Sequence, residues 1–238
     1  MAEPRGVLVT GGSGALGRAL VRRFRAQGDR VHFTWRSSQD EAERLAAETG
    51  AVAIQADLAK AADADRTAAT AEAAGAVEVL VAAAGATQVM PLALIEDEDW
   101  HRVIDDNLTA CFLTLRAGVR GMIRRKRGCI VTIGSIAGQR LLEVPVHYAA
   151  AKAGVSGLTK ALAAELKRYG IRANCLVPGL LEDGVGRNVP EALKADFLAH
   201  CTLGRAGRMD EIAAVAAFLA SDAASYINGQ DITADGGL

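Results

Sequence analysis

Tyr148 and Lys152 stand four residues apart in the segment Val146-His-Tyr-Ala-Ala-Ala-Lys-Ala-Gly154. On a helix that spacing puts both side chains on one face, one turn apart. A free phenol titrates near pH 10, too high for acid-base work at neutral pH, and a fixed ammonium beside it favours the phenolate (about 10 is the peptide value). The pair therefore suits passing a proton to or from an alcohol oxygen. Only this one of the chain's three tyrosines has a lysine at that offset; Tyr169 is followed by Ala173 and Tyr226 by Gln230. Read alone, the pair could equally be two neighbours on a helix surface, because so short a motif recurs by chance.

A second group could hold phosphate. Thr10-Gly-Gly-Ser-Gly-Ala-Leu-Gly17 satisfies G-x-G-x-x-G at Gly12, Gly14 and Gly17, directly after an apolar run and directly before an amphipathic stretch. Glycines at these points allow a tight turn and close backbone approach to a pyrophosphate, which would sit at a helix N-terminus among free N–H groups. An NAD site usually carries an acid about 20 residues further on. Here Phe33-Thr-Trp-Arg-Ser-Ser38 has no acid and offers Arg36 with Ser37. A guanidinium with neighbouring hydroxyls suits a 2′-phosphate, so NADPH is the expected cofactor. Asp57 could accept from an adenine amino group or cap the next helix.

The elements that must position these groups show as alternating patterns. Apolar runs at residues 6–10, 30–35, 51–55, 77–83, 129–133, 171–177 and 230–233 read as strands. Stretches near residues 15–27, 39–49, 61–74, 97–122, 146–169, 191–200 and 210–221 read as helices. Continuous apolar strands joined by crossover helices imply a parallel sheet covered on both faces. No Pro- or Ser-rich linker, repeat or charge block divides the chain. The expected class is α/β: a single-domain Rossmann fold over residues 1–238, with a doubly wound seven-stranded parallel sheet and helices on both faces.

Composition bounds the rest. Half of the 238 residues are hydrophobic but only 4% are aromatic, so the core must be built from Ala, Val, Leu and Ile. A net charge of −1 gives no electrostatic case for nucleic acid. Cys111, Cys129, Cys175 and Cys201 lie far apart with no histidine at ligand spacing, so reduced structural thiols are expected and no metal site. Residues 1–5 hold no apolar signal segment, and no run approaches membrane-spanning length. The expectation is a cytoplasmic protein with no membrane partner.

In their order these segments resemble the short-chain dehydrogenases/reductases, and among them the 3-oxoacyl-(acyl-carrier-protein) reductases, over essentially the whole chain. Residues 10–17 look like that family's cofactor loop and Asp57-Leu58 its adenine contact. Asn107, in Val103-Ile-Asp-Asp-Asn-Leu108, matches its active-site asparagine. Ser135, in Ile130-Val-Thr-Ile-Gly-Ser-Ile136 and thirteen residues before Tyr148, matches its catalytic serine. Val177-Pro-Gly179 resembles its nicotinamide-contacting turn, and residues 203–207, 220–223 and 235–237 match its C-terminal stretch.

The resemblance implies NADPH-dependent reduction of a 3-oxoacyl thioester to the 3-hydroxyacyl thioester, in fatty acid or polyketide assembly. It implies a catalytic set of Asn107, Ser135, Tyr148 and Lys152: Tyr148 as proton donor, Ser135 on the same oxygen, Lys152 beside the phenol and on the ribose, and Asn107 binding a relay water. Cofactor contacts are implied at Gly11, Gly12, Ser13, Gly14, Leu16, Gly17, Arg36, Ser37, Asp57, Leu58, Ala83, Gly85, Tyr148, Lys152, Pro178 and Gly179. Taken singly, Ser135 reads as a strand-end turn hydroxyl and Asn107 as a backbone partner.

Three positions depart from the family's usual pattern. Ala82-Ala-Ala-Gly85 replaces Asn-Asn-Ala-Gly, removing amides that tie the strand end to its surroundings. Ala15 replaces the middle glycine of the loop, leaving Gly14 to take the positive φ of the turn. Asp183 stands where a carboxamide-binding threonine is common.

The basic run Arg124-Arg-Lys-Arg127, with Lys167 and Arg168, would steer an acidic acyl carrier protein, or simply cap solvated helix ends. Residues 180–202 fall where the family has its substrate lid, and Val185, Val189, Leu193, Phe197 and Leu198 suit an acyl chain or packing of the lid itself. His147 reads as shaping the pocket or facing a neighbour. The resemblance also implies a homotetramer through the helices at 97–122 and 146–169 and the C-terminal strand. Two other functions compete: a dehydrogenase of free alcohols or ketones, and a non-catalytic NADPH-binding regulator, which would need no proton relay.

Overall fold

The structure, a computed structural model, describes residues 4–238. Seven strands form one parallel sheet: β1 (Gly6–Val9), β2 (Arg30–Trp35), β3 (Val52–Gln55), β4 (Val77–Ala82), β5 (Gly128–Ile133), β6 (Ile171–Pro178) and β7 (Asp231–Ala234). Their order is β3-β2-β1-β4-β5-β6-β7. The chain reverses direction of growth between β1 and β4, and at such a switch point the connections leave on opposite faces and open a crevice beyond the strands' carboxyl ends.

Helices cover the two faces. α1 (Ala15–Ala26), α2 (Gln39–Thr49) and α8 (Met209–Leu219) lie on one; α3 (Ala61–Ala73), α5 (Ala110–Arg125) and α6 (Val146–Leu166) lie on the other. Alternation along the strands feeds both cores. Val7, Val9, Val79, Val81, Val131 and Ile133 pack against Leu20, Phe24 and Leu45, while Leu8, Leu80 and Ile130 pack against Leu115, Met122 and Leu166. Each such side chain contributes about 1.5–3 kcal/mol of burial. Small residues bring the layers close: a Cβ on Gly118 of α5 would meet Leu80 Cδ2 at 2.8 Å.

One expected helix is interrupted. Between α4 (Asp97–Ile104) and α5 the residues Asp105–Thr109 form a π turn, so the stretch 97–125 is helical throughout but changes register at Asn107. A single π turn widens the helix by one residue and re-aims the turns beyond it. α6 ends at Leu166, its last expected residues tightening into a 3₁₀ turn at Lys167–Tyr169. The lid region holds a 3₁₀ turn (Gly184–Asn188) and α7 (Glu191–His200). Among the described residues no helix is long and apolar enough to cross a membrane.

Candidate active site

A cleft of about 1070 Å³ runs along the carboxyl ends of the central strands. Of the residues singled out from the sequence as catalytic or cofactor-binding, every one except Gly12 lines it. Gly12 faces inward, where a Cβ would strike the Phe33 ring at 2.5 Å. It is a packing glycine that lets the loop lie on β2.

The expected place of the positive φ needs correction. Gly14 is extended, at φ −71°, and Gly11 takes the left-handed turn, at φ 68°. A Cβ on Gly11 would also reach Ala84 Cα at 2.8 Å, so the turn presses against the end of β4. Gly17 is equally constrained, 2.7 Å separating its hypothetical Cβ from Gly12 Cα. Ala15 is tolerated because the bend lies upstream of it. Arg18 Nη1 donates to the Ser13 carbonyl at 2.8 Å and pins the loop, while no side chain caps the N-terminus of α1 and its first turn holds no acid. Those free N–H groups and the dipole favour an anion.

A hydroxyl ties down the chain just beyond β4. Thr10 Oγ1, at the end of β1, accepts from both Ala83 N and Ala84 N at 3.0 Å. One hydroxyl thus ties the two strand ends that flank the crevice.

At the end of the cleft that holds Arg36 the charged groups hold one another. Arg36 forks onto Asp106, its Nη2 donating to Oδ2 at 3.1 Å, and Asp57 lies 4.0 Å away. Asp57 is not the helix cap: Lys60 occupies that position on α3, and its ammonium pairs with Asp57 at 3.3 Å. Asp106 is a cleft residue that sequence reasoning missed. Nothing local signals a pairing between residues seventy positions apart.

At the other end the groups are held by backbone. Asn107 sits on the π turn with its Nδ2 donating to the carbonyls of Ala86 (2.6 Å) and Val103 (2.9 Å). Both amide hydrogens are thereby committed, and the buried Oδ1 has no protein partner. A Cβ on Gly85 would lie 2.5 Å from that Oδ1 and 3.3 Å from Lys152 Nζ, so the two polar atoms flank one point that only glycine leaves open. Lys152 is buried on α6; its Nζ donates to the Ile133 carbonyl at 3.1 Å and stands 5.6 Å from the Tyr148 ring centre. Helix spacing accounts for the second distance and the close approach of α6 to β5 for the first.

Ser135 ends β5 and caps a short 3₁₀ turn (Ile136–Gly138), its Oγ accepting from Ala137 N at 3.1 Å. Gly138 lets that turn reach α6: a Cβ there would meet Ala153 N at 2.5 Å. The serine's loop is thus seated on the backbone of the Tyr-Lys helix.

His147 is fully buried and lies off the cleft wall. Its Nδ1 accepts from Tyr148 N at 2.9 Å, satisfying a first-turn N–H of α6, and burial holds its pKa below the ordinary value. It is a neutral positioning group for the tyrosine's backbone. Burial also pushes the Cys111 thiol up to about 12, so that cysteine is an inert core residue. Among the described residues no cluster of three or more His, Cys, Asp or Glu could hold a metal.

The far side of the cleft is largely apolar. Val185, Val189, Leu193 and Phe197 line it with Leu141 and Leu142, while Leu198 does not. Asp183 lines the cleft too, and its Oδ1 accepts from Gly184 N at 2.6 Å and pairs with Arg187 at 2.8 Å. The basic run is partly neutralised. Arg125 forks onto Glu72 at 2.7 Å and Arg127 pairs with Glu78 at 2.9 Å, leaving Arg124 and Lys126 without ion pairs among the described residues.

A family model described as enoyl-(acyl carrier protein) reductase matches residues 12–238. The chain is similar to the 3-oxoacyl-(acyl-carrier-protein) reductase FabG of Escherichia coli (strain K12), at 35% identity covering 99% of this chain and 98% of that one. It is similar to the 3-oxoacyl-(acyl-carrier-protein) reductase MabA of Mycobacterium tuberculosis, at 36% identity covering 98% and 92%. Among solved structures, a doubly substituted variant of a Serratia marcescens short-chain dehydrogenase/reductase superposes with a TM-score of 0.91 at 30% identity, over 98% of this chain and 97% of that one.

Proposed function

This chain belongs to the short-chain dehydrogenase/reductase family and is an oxidoreductase; on that premise we propose that it reduces a 3-oxoacyl thioester, presented by an acyl carrier protein, to the 3-hydroxyacyl thioester with NADPH. The observation that carries the reading is convergence. One cleft holds a glycine turn with a bare helix N-terminus at one end and Asn107, Ser135, Tyr148 and Lys152 at the other.

The residues present fit a dinucleotide. The turn at Gly11 leaves no room for a side chain, α1 begins without a side-chain cap beside the cleft, and Arg36 and Ser37 line the same cleft as donors for a 2′-phosphate. Gly11, Ser13, Gly14, Leu16 and Gly17 would hold the phosphates; Asp57, Leu58, Ala83 and Gly85 the adenosine side; Pro178, Gly179, Tyr148 and Lys152 the nicotinamide riboside. When bound, reduced nicotinamide supplies a hydride to the substrate's carbonyl carbon.

The chain's own groups handle the oxygen and the proton. Tyr148 gives its hydroxyl proton to the carbonyl oxygen as negative charge develops there, work worth roughly 10²- to 10⁴-fold. Ser135 Oγ already accepts from Ala137 N, so its own O–H is the donor left to bind the same oxygen. Lys152, anchored on the Ile133 carbonyl, keeps two further N–H donors for the phenol side and the ribose. Asn107 Oδ1 accepts from a water that returns a proton by way of Lys152. The apolar far wall takes an acyl chain, and Arg124 and Lys126 remain to meet an acidic carrier. Exposed Phe112 on α5, Phe218 on α8 and Tyr226 ahead of β7 support assembly into a homotetramer.

Initial rates of NADPH and NADH oxidation on carrier-bound and coenzyme A-bound acetoacetyl, crotonyl thioesters and cyclic ketones test the proposal. The expected order puts NADPH with carrier-bound acetoacetyl first. Preference for cyclic ketones would make the protein a dehydrogenase of free carbonyls, preference for crotonyl thioesters an enoyl reductase, and strong preference for NADH would overturn the role of Arg36.

A further inference from the structure

We infer that Asp106 sets nucleotide selectivity by holding Arg36 in the ligand-free protein, in competition with a 2′-phosphate; the inference rests on the dinucleotide reading above. Asp106 lies on the π turn beside Asn107, and both it and Arg36 line the cleft. Its two carboxylate oxygens take both terminal nitrogens of the guanidinium, Nη2 donating to Oδ2 at 3.1 Å and Nη1 donating to Oδ1. That planar fork is the arrangement a guanidinium offers to two phosphate oxygens. The carboxylate therefore occupies the donors that a 2′-phosphate needs.

The two partners are not equally anchored. The Asp106 side chain is 13% exposed and that of Arg36 is 54% exposed, so the carboxylate is the fixed member and the arginine the one able to swing. Asp57 is a weaker rival, because it stands 4.0 Å from Arg36 and is already paired with Lys60 at 3.3 Å.

The competition has two consequences. Apparent affinity for a phosphorylated nucleotide is reduced by the fraction of molecules in which Arg36 is free. A nucleotide without the phosphate does not call on Arg36 and escapes that penalty. Asp106 thus narrows the preference for NADPH over NADH that Arg36 would otherwise give.

Equilibrium titration of NADP⁺, NAD⁺ and 2′,5′-ADP tests this by calorimetry, on the unaltered protein, Asp106→Asn, Arg36→Met and the double variant. Asp106→Asn is expected to tighten NADP⁺ and 2′,5′-ADP by roughly three- to tenfold and leave NAD⁺ unchanged, as loss of one partly exposed ion pair allows. In the Arg36→Met background the same change should gain nothing. Asp106→Ser also removes the charge, carries the same expectation, and covers the case in which asparagine disturbs the π turn. Unchanged NADP⁺ affinity overturns the inference, as does weakened NAD⁺ binding, which would place Asp106 on the ribose hydroxyls. A gain that persists without Arg36 overturns it too, by showing direct repulsion. If neither dinucleotide binds the unaltered protein, the dinucleotide reading itself falls, an outcome distinct from binding that is indifferent to residue 106.

Discussion

The two ends of the cleft are built differently. At the catalytic end Asn107, Ser135 and Lys152 are fixed by backbone groups: the carbonyls of Ala86, Val103 and Ile133 and the N–H of Ala137. At the other end Arg36, Asp106, Asp57 and Lys60 pair with one another through charge, Asp57 alone also taking a long bond of 3.4 Å from a backbone group, Ala59 N. Backbone partners cannot leave, whereas ion pairs in partly exposed positions exchange readily with an incoming charged ligand. Preorganisation matters most where charge develops during reaction. Recognition of a phosphate tolerates a resident competitor, the part that the inference above gives to Asp106.

The contrast can be broken at its rigid end first. Gly85→Ala would thrust a methyl group onto Asn107 Oδ1 and toward Lys152 Nζ. Displacing them by a fraction of an ångström to an ångström is expected to lower kcat by about 10²-fold, with thermal unfolding little altered because Gly85 is exposed to the cleft. Steady-state kinetics beside a melting curve would show it, and an undiminished kcat would mean that Asn107 and Lys152 need not be so placed.

Thr10→Val keeps the side chain's shape and removes the acceptor for two backbone N–H groups. The expected cost is about 2 kcal/mol, or a Tm lower by roughly 4–8 °C for a domain of this size. A Tm change within one degree would deny the hydroxyl its part in joining β1 to β4.

A smaller effect appears with acid. His147 is held below its ordinary pKa by burial, so the unfolded chain takes up this proton at a higher pH than the folded one. Its contribution is complete above the ordinary value of 6.5 and is lost as pH falls from there toward the depressed folded value. The slope is at most about 1.4 kcal/mol per pH unit for one proton. His32 shifts in the same direction, also by burial. Urea titrations from pH 7.5 to pH 5, run at steps of about half a unit, should therefore show a shallower slope for His147→Asn than for the unaltered chain; identical slopes would remove His147 from the account. The least change is expected at the exchangeable end: Lys60→Ala breaks an exposed pair and should alter stability by no more than about 0.5 kcal/mol, which the same titrations would check.

Much of this was legible in the sequence because burial writes itself into composition. Strands β1, β4, β5 and β6, buried along nearly their whole length, are mostly apolar and stood out, whereas the edge strands β3 and β7 are half-exposed and carry less of that signal; the fixed order of glycine turn, serine, tyrosine and lysine marked the cleft. The features that stayed hidden depend on geometry that residue type does not encode. The π turn at Asp105–Thr109 adds one residue to one turn, too small a change to show in the pattern of the long helical stretch around it. Gly11, Gly12 and Gly14 are chemically alike, yet one bends the chain, one packs on Phe33 and one begins a helix. The Arg36–Asp106 pair joins groups that only the fold brings together.

Tyr148→Phe bears most directly on the central claim, that a phenol held by α6 delivers the proton while the dinucleotide is bound in the same cleft. Stopped-flow turnover and nucleotide titration on the same preparation would measure both halves. The prediction is turnover lowered by at least about 10²-fold with the Kd for NADPH unchanged; turnover equal to that of the unaltered protein would contradict it.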